Sequence, residues 1–128
     1  MSWLSQVSFE PPMIMFSVDK KHYSEELLRS TRTFVVNVLA ENQVKLAGHF
    51  AKQAMAGEDK LASVATREAD SGARILTDAL AWLDCEVVAL HPTGDHFMVV
   101  GKVIAAGVQH RGPALTTASG MRYRESKP

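Results

Sequence analysis

Residues 2–12, SWLSQVSFEPP, combine several hydroxyl side chains with backbone N–H groups just before an apolar segment. A loop of this composition at the mouth of a β-structure suits an anion such as a phosphate. Ordinary turns use the same residues to satisfy local backbone groups, and that alternative stays open. Pro11 and Pro12 cannot donate backbone hydrogen bonds and have a fixed φ. We therefore expect an extended loop up to Pro12 and a buried strand over Met13–Val18.

Two further groups of polar residues have types suited to ligand chemistry. Lys20-Lys21-His22 stands at the N-terminal end of a predicted helix, where a helix N-terminus favours an anion, although a solvated charge cluster is the alternative. His96 follows Gly94-Asp95 at the predicted start of a strand, so Asp95 could orient or cap its imidazole. A neutral imidazole at that place can stack on a ring or hydrogen-bond to it, whereas a histidine in a surface turn is the plain alternative.

Asn37 is the polar exception in an apolar segment, Phe34 to Leu39, whose β-branched content predicts a buried strand. A buried amide needs hydrogen-bonding partners, which either a ligand or cross-strand backbone could supply. The single cysteine, Cys85, excludes an internal disulfide and fits a reducing compartment. Its alternation with Asp84 and Glu86 predicts an inward-facing strand residue rather than a catalytic thiol. The five histidines show no paired ligand spacing, so no metal site is expected.

Composition limits the possible classes of function. The chain has 128 residues, 46% hydrophobic and 22% charged, which is typical of one globular domain covering residues 1–128. Fourteen basic and fourteen acidic residues cancel, so no global field attracts nucleic acid or an anionic membrane. Apolar runs are far below the ~20 residues that span a bilayer, and the start lacks the pattern of a secretory signal. We therefore expect a cytoplasmic protein.

The periodicity of the remaining chain predicts a mostly antiparallel β-structure with two helices, most simply a small barrel. A helix is predicted over Asp19–Thr31, and a second after Asn42, with Val44, Ala47 and Ala51 on one face. Residues 57–74 are expected to be irregular. Alternation predicts strands over 82–90 and 96–106 joined as a hairpin, with Leu83, Cys85, Val87 and Ala89 on one side and Asp84 and Glu86 on the other.

Three separated segments coincide with one family. The three segments are residues 2–12, the strand FVVNVL at 34–39, and Gly94-Asp95-His96 followed by Val99-Val100-Gly101-Lys102-Val103. Together they resemble the flavin reductase-like, FMN-binding split-barrel proteins. The chain is most similar to the flavin reductase module of flavodiiron proteins, through Ala56-Gly57-Glu58-Asp59-Lys60 and residues 75–85 (ILTDALAWLDC). The resemblance covers nearly the whole chain, in the right order and spacing.

The resemblance implies a mainly β fold with two or three helices, an antiparallel split β-barrel, assembled as a homodimer with FMN, or FAD, at the subunit interface. It implies NAD(P)H as the reductant and an electron acceptor that the sequence does not identify. The implied flavin contacts are Ser2, Trp3, Leu4, Ser5, Asn37 and Val38, with Lys20, Lys21, His22 and Ser24 near the phosphate. His96 is implied at the open face of the ring, where nicotinamide or a second flavin docks.

The family has two more strands before the point matched by residue 2, so the domain is expected to be short at its N-terminus and the barrel incomplete. A non-catalytic flavin-binding or electron-relay module, and a domain that no longer binds flavin, are the alternative functions.

Overall fold

The computed structural model describes residues 2–21, 24–52 and 58–119. The strands are β1 (Ser2–Ser8), β2 (Met13–Asp19), β3 (Thr33–Val38), β4 (Thr66–Glu68), β5 (Arg74–Leu76), β6 (Ala81–Pro92) and β7 (His96–Val108). The helices are α1 (Ser24–Thr31) and α2 (Val44–Ala51), and Thr117–Ser119 form a short 3-10 turn. No helix in the described ranges is long and apolar enough to span a bilayer.

The described strands form one large antiparallel sheet in the order β1-β2-β7-β6-β3, and a separate β4–β5 hairpin. The predicted hairpin of β6 and β7 is confirmed and forms the longest pairing, from Ala81 opposite Val108 to Pro92 opposite Phe97. The sheet is strongly curved, because Phe16 of β2 contacts Phe34 of β3 edge-to-face at 4.9 Å although β7 and β6 lie between them in the sheet. The core therefore fills the concave side.

The N-terminal segment corrects the prediction of a loop. Residues 2–8 form β1, which pairs with β2 from Ser2 opposite Ser17 to Ser8 opposite Met13. Pro11 and Pro12 lie in the turn of this hairpin rather than in an extended segment, and the Glu10–Pro11 peptide bond is cis. The serines had favoured a loop, but the aromatic and branched residues between them suit a strand that can pair with β2.

The helical and irregular segments differ from the predictions at their boundaries. Asp19 ends β2 and Lys20 and Lys21 form a turn, so within the described residues α1 begins at Ser24 instead of Asp19. In α1, Arg29 Nε donates to Glu25 Oε1 at 2.9 Å across one helical turn. The segment predicted to be irregular contains β4 and the start of β5, two strands of three residues each that are too short to produce a clear periodic pattern.

A bulge in β6 corrects the predicted sides of that strand. The register shifts between Asp84 and Cys85, so these neighbours are both fully buried instead of facing opposite ways. The Asp84 carboxylate accepts hydrogen bonds from Ser71 Oγ at 2.5 Å and from Ser71 N at 3.2 Å. These two hydrogen bonds offset the cost of burying the carboxylate. Burial, and secondarily the Asp84 charge, raises the pKa of the Cys85 thiol to about 12. Cys85 is thus an inert core residue, as predicted.

Candidate functional site

Strand alternation divides β2 and β7 into two faces. Phe16, Val18 and Val99 point into the core, so the residues between them point outwards. Ser17 is paired with Met98, and Met15 lies between Ser5 and Val100. Because directly opposed residues project on the same side, Ser5, Met15, Ser17, Met98 and Val100 form one surface, here called the outer face. These five residues combine a mainly apolar floor with two hydroxyl groups, and the charged residues Lys102 and Asp19 stand at the two ends of this side of β2 and β7.

His96 stands at one end of the outer face, at the first position of β7 and opposite Asp19. Its Nδ1 lies 2.7 Å from Asp95 Oδ1. This hydrogen bond, followed by the attraction of the imidazole, lowers the pKa of the exposed Asp95 carboxyl. A carboxylate can only accept, so Nδ1 carries the hydrogen, and Nε2 is left to meet a ligand. The turn itself is fixed by Thr93, whose N–H and hydroxyl both donate to the His96 carbonyl, at 2.9 and 2.7 Å.

Trp3 lies against His96, with their ring centroids 5.0 Å apart and their planes tilted by 48°. Trp3 is on β1 and His96 on β7, so the indole reaches across β2. Two backbone irregularities accompany this reach: the β1–β2 register shifts between Ser2 and Ser5, and Trp3 has φ of +51°. A positive φ is a genuine outlier for a bulky residue, and bulges redirect side chains at functional sites. The structure therefore brings together two predicted site residues that are 93 positions apart.

Lys20 joins this group from the turn after β2. Its backbone N–H donates to the Asp95 carbonyl at 3.0 Å, and its ammonium donates to the Thr93 carbonyl at 2.9 Å. The same ammonium lies 5.2 Å from the centroid of the Phe97 ring, and the Arg29 guanidinium lies 5.8 Å from it. Two cations thus flank the turn that carries His96.

The other predicted phosphate contacts are only partly described. The Lys21 N–H donates to Asp19 Oδ1 at 2.9 Å, which fixes the turn after β2. His22 lies outside the described residues, and Ser24 begins α1.

Asn37 and Val38 lie on β3, at the opposite edge of the sheet from β1. Asn37 Oδ1 accepts a hydrogen bond from Leu76 N at 2.9 Å, and Nδ2 donates to the Arg74 carbonyl at 3.5 Å. The amide therefore joins β3 to β5, which is the cross-strand alternative that the sequence left open. A contact of Asn37 or Val38 with a ligand stays a prediction.

Sequence reasoning missed several residues of the site. Lys20 meets Thr93 and Phe97, and Arg29 meets Phe97, only through tertiary structure, and no local pattern signals these contacts. Ser17 and Met98 could have been found, because strict alternation around Phe16 and Val99 already places them on the face away from the core. Among the described residues, no cluster of three or more histidine, cysteine or acidic side chains could hold a metal ion.

Comparisons with known proteins agree with this architecture. The sequence profile described as "Flavin reductase like domain" matches residues 1–125. Diflavin flavoprotein A 1 of Synechocystis sp. is 42% identical over 103 residues, which is 80% of this chain and 18% of that protein. A flavin reductase of Pseudomonas putida is 32% identical over 111 residues, covering 87% of this chain and 64% of that protein. The chain thus spans about a fifth of the length of its diflavin flavoprotein relatives and about two thirds of the reductase.

A solved structure matches almost the whole fold. The NADH:FAD oxidoreductase of Streptomyces globisporus superposes with a TM-score of 0.79 at 31% identity, covering 98% of this chain and 75% of that chain. A further structure of that oxidoreductase contains NAD and FAD fragments. The predicted fold is confirmed: a mainly β protein with an antiparallel sheet, whose structural neighbours are split-barrel flavin reductases. By the match of its sequence over residues 1–125 and by the fold of its described residues, this chain belongs to the flavin reductase-like domain family.

Proposed function

We propose that the protein is an NAD(P)H-dependent flavin oxidoreductase, with FMN as the preferred flavin and FAD as the alternative. The observation that carries this proposal is the Trp3–His96 pair at the end of an uncharged outer face. A flavin ring is planar and largely apolar with polar edges, and a surface of methionine, valine and serine beside an indole fits such a group. Bound flavin supplies the hydride-accepting chemistry, so the protein needs placement and electrostatics rather than a catalytic triad.

The residues of this chain would divide the binding between ring and phosphate. Ser2, Trp3, Leu4 and Ser5 of β1 border the outer face and would hold the ring mainly through backbone groups and the Ser5 hydroxyl. Lys20 stands at the same end of the sheet, where its charge favours a phosphate. Lys21, His22 and Ser24 follow in the same connection, and Asn37 and Val38 stay as predicted contacts from the other edge.

His96 is proposed to meet the nicotinamide at the open side of the flavin. Its Nδ1–H is engaged by Asp95, so the neutral ring offers the Nε2 lone pair as a hydrogen-bond acceptor. Asp95 is then a positioning residue, because its carboxylate fixes the tautomer and the orientation of the imidazole. The 94% exposure of the Asp95 side chain implies that solvent weakens this interaction, so its contribution is orientation more than binding energy.

A homodimer in the cytoplasm completes the proposal. β1 is an edge strand on which Leu4 and Val7 are both about half exposed, and Phe9 in the following turn is 86% exposed. An uncharged edge strand with exposed apolar side chains favours association, so a second copy is the expected cover. The cytoplasmic assignment is supported by the single cysteine, which is buried and reduced.

An electron-relay module is the second candidate function. It is favoured by the diflavin flavoprotein relatives, in which the matched region is only a fifth of a longer chain. Such a module would bind flavin and exchange electrons with a protein partner without oxidising NAD(P)H itself. Flavin absorbance in the purified protein agrees with both functions, whereas bleaching of that absorbance by NADH or NADPH supports only the reductase.

Substitution of His96 tests the reductase function. His96→Ala should leave FMN bound but slow its reduction by NAD(P)H about ten- to a hundredfold, for about 1.4–2.8 kcal/mol of lost transition-state interaction. The measurement is stopped-flow reduction of the FMN-loaded protein under anaerobic conditions. His110→Ala is the matched control, since His110 lies beyond the other end of β7 and contacts the Thr77 carbonyl. An unchanged reduction rate in His96→Ala, or a variant that loses FMN, would remove His96 from this role.

A further inference from the structure

The indole of Trp3 lies over His96 but is itself mostly exposed to solvent. Trp3 is 63% exposed, whereas the side chain of His96 is only 19% exposed although it lies at the end of a strand beside a surface turn. The contact at 5.0 Å accounts for part of this protection, because the indole extends across β2 and lies over one side of the imidazole. A planar ligand that approaches His96 from the outer face therefore meets the indole first.

The backbone holds Trp3 in a conformation from which it can be moved at small cost. A bulky side chain at φ of +51° is in a sparsely populated region, so the present conformation carries local strain. Within one copy of the chain, few interactions oppose a change, since the indole is mostly exposed and the β1–β2 pairing is already interrupted between Ser2 and Ser5. Strain on one side and weak packing on the other are the properties of a movable cover.

We propose that Trp3 controls access to His96, shielding the imidazole until a planar ligand takes the place of the indole. Trp3 is in this sense a positioning residue that decides when and from which side His96 is reached. The shielding follows from the geometry alone. Its consequence for hydride transfer rests on the proposed function, so the experiment separates the two.

Chemical modification measures the shielding directly. Diethyl pyrocarbonate acylates accessible neutral imidazoles, and peptide mass spectrometry gives a rate for each histidine in the same sample. Trp3→Ala should raise the rate at His96 severalfold, while Trp3→Phe, which keeps a ring, should retain most of the protection. His91 and His110 are internal controls because both are exposed and neither contacts Trp3. Trp82→Phe is the matched variant, since Trp82 packs on Gly107 and faces Arg67.

An equal rate at His96 in the wild type and in Trp3→Ala would overturn the proposal. A rise at all three histidines would overturn it as well, because it would show general loosening rather than loss of a cover. The second measurement is FMN association by stopped-flow quenching of flavin fluorescence, in which Trp3→Ala should bind faster than the wild type. Absence of FMN binding in both proteins would refute the proposed function, while the modification rates would still decide whether Trp3 shields His96.

Discussion

Replacement of Gly101 by alanine tests the packing on which the curved sheet depends. Gly101 lies in β7 opposite Ile14 and Val87, and the Phe34 ring from β3 lies directly over it. A Cβ at this position would be 2.7 Å from Phe34 Cε1 and closer still to Cζ. The ring cannot turn away freely, because it is buried and packs edge-to-face against Phe16. The extra methyl group should therefore force the core apart.

The expected destabilisation is that of an overpacked core, about 1–3 kcal/mol. With a typical unfolding entropy per residue, this corresponds to a decrease in Tm of roughly 4–11 °C for a domain of this size. Thermal and urea unfolding followed by circular dichroism would measure both quantities. The outer face is on the other side of β7, so FMN stoichiometry in the folded fraction should not change.

Gly48→Ala is the matched control for this substitution. Gly48 lies in α2, and a Cβ there would meet no atom within 4 Å. Replacing glycine within a helix should stabilise the protein by about 0.5–1 kcal/mol. If Gly101→Ala unfolds at the wild-type temperature while Gly48→Ala shows its expected increase, then Phe34 does not pack on β7 as described.

Two other substitutions test the structural role of Asn37 and the raised pKa of Cys85. Asn37→Ala removes the hydrogen bonds to Leu76 N and the Arg74 carbonyl, so it should lower Tm and decrease the free energy of unfolding by about 1–2 kcal/mol. The FMN stoichiometry of the folded protein should not change. A tenfold weaker FMN affinity with unchanged Tm would show instead that the amide binds the flavin. For Cys85, the folded-state pKa of about 12 lies above the ordinary pKa of 9.0 for a thiol, so its stability contribution is present below pH 9 and is lost as pH rises towards 12. Wild-type stability should fall relative to Cys85→Ala by about 1.4 kcal/mol per pH unit over that range in urea titrations, and parallel curves would contradict the raised pKa.

The sequence was most informative where burial is periodic. The core strand of Phe16 and Val18 and the long hairpin of β6 and β7 follow from alternation, which depends only on which face is buried. The sequence predicts a loop where β1 lies, because serines are frequent in turns. The pairing of β1 with β2 depends on tertiary structure, which the local sequence does not indicate. The bulge at Asp84 was also beyond reach, since an extra residue in one strand reverses the faces without changing local composition.

Some residues of the candidate site could be named from the sequence, but their contacts could not be predicted. Trp3 and His96 were both identified through the resemblance, yet nothing in the sequence indicated that they contact each other, because the contact depends on β2 pairing with both β1 and β7. The partner of Asn37 was equally hidden, since Leu76 belongs to a strand of three residues within a segment that had been predicted to be irregular as far as Arg74.

The alternation of β7 separates the stability of the protein from its proposed chemistry. Val99 and Gly101 face the core, where a change of a single methyl group disturbs packing across four strands. Met98 and Val100 face outwards, where only a ligand or a partner needs their shape. His96 has the same parity as Met98, so the imidazole extends from a rigid strand without taking part in the core. If the proposed function holds, outer-face substitutions should therefore change the flavin or nucleotide preference while the curved sheet beneath the site stays intact.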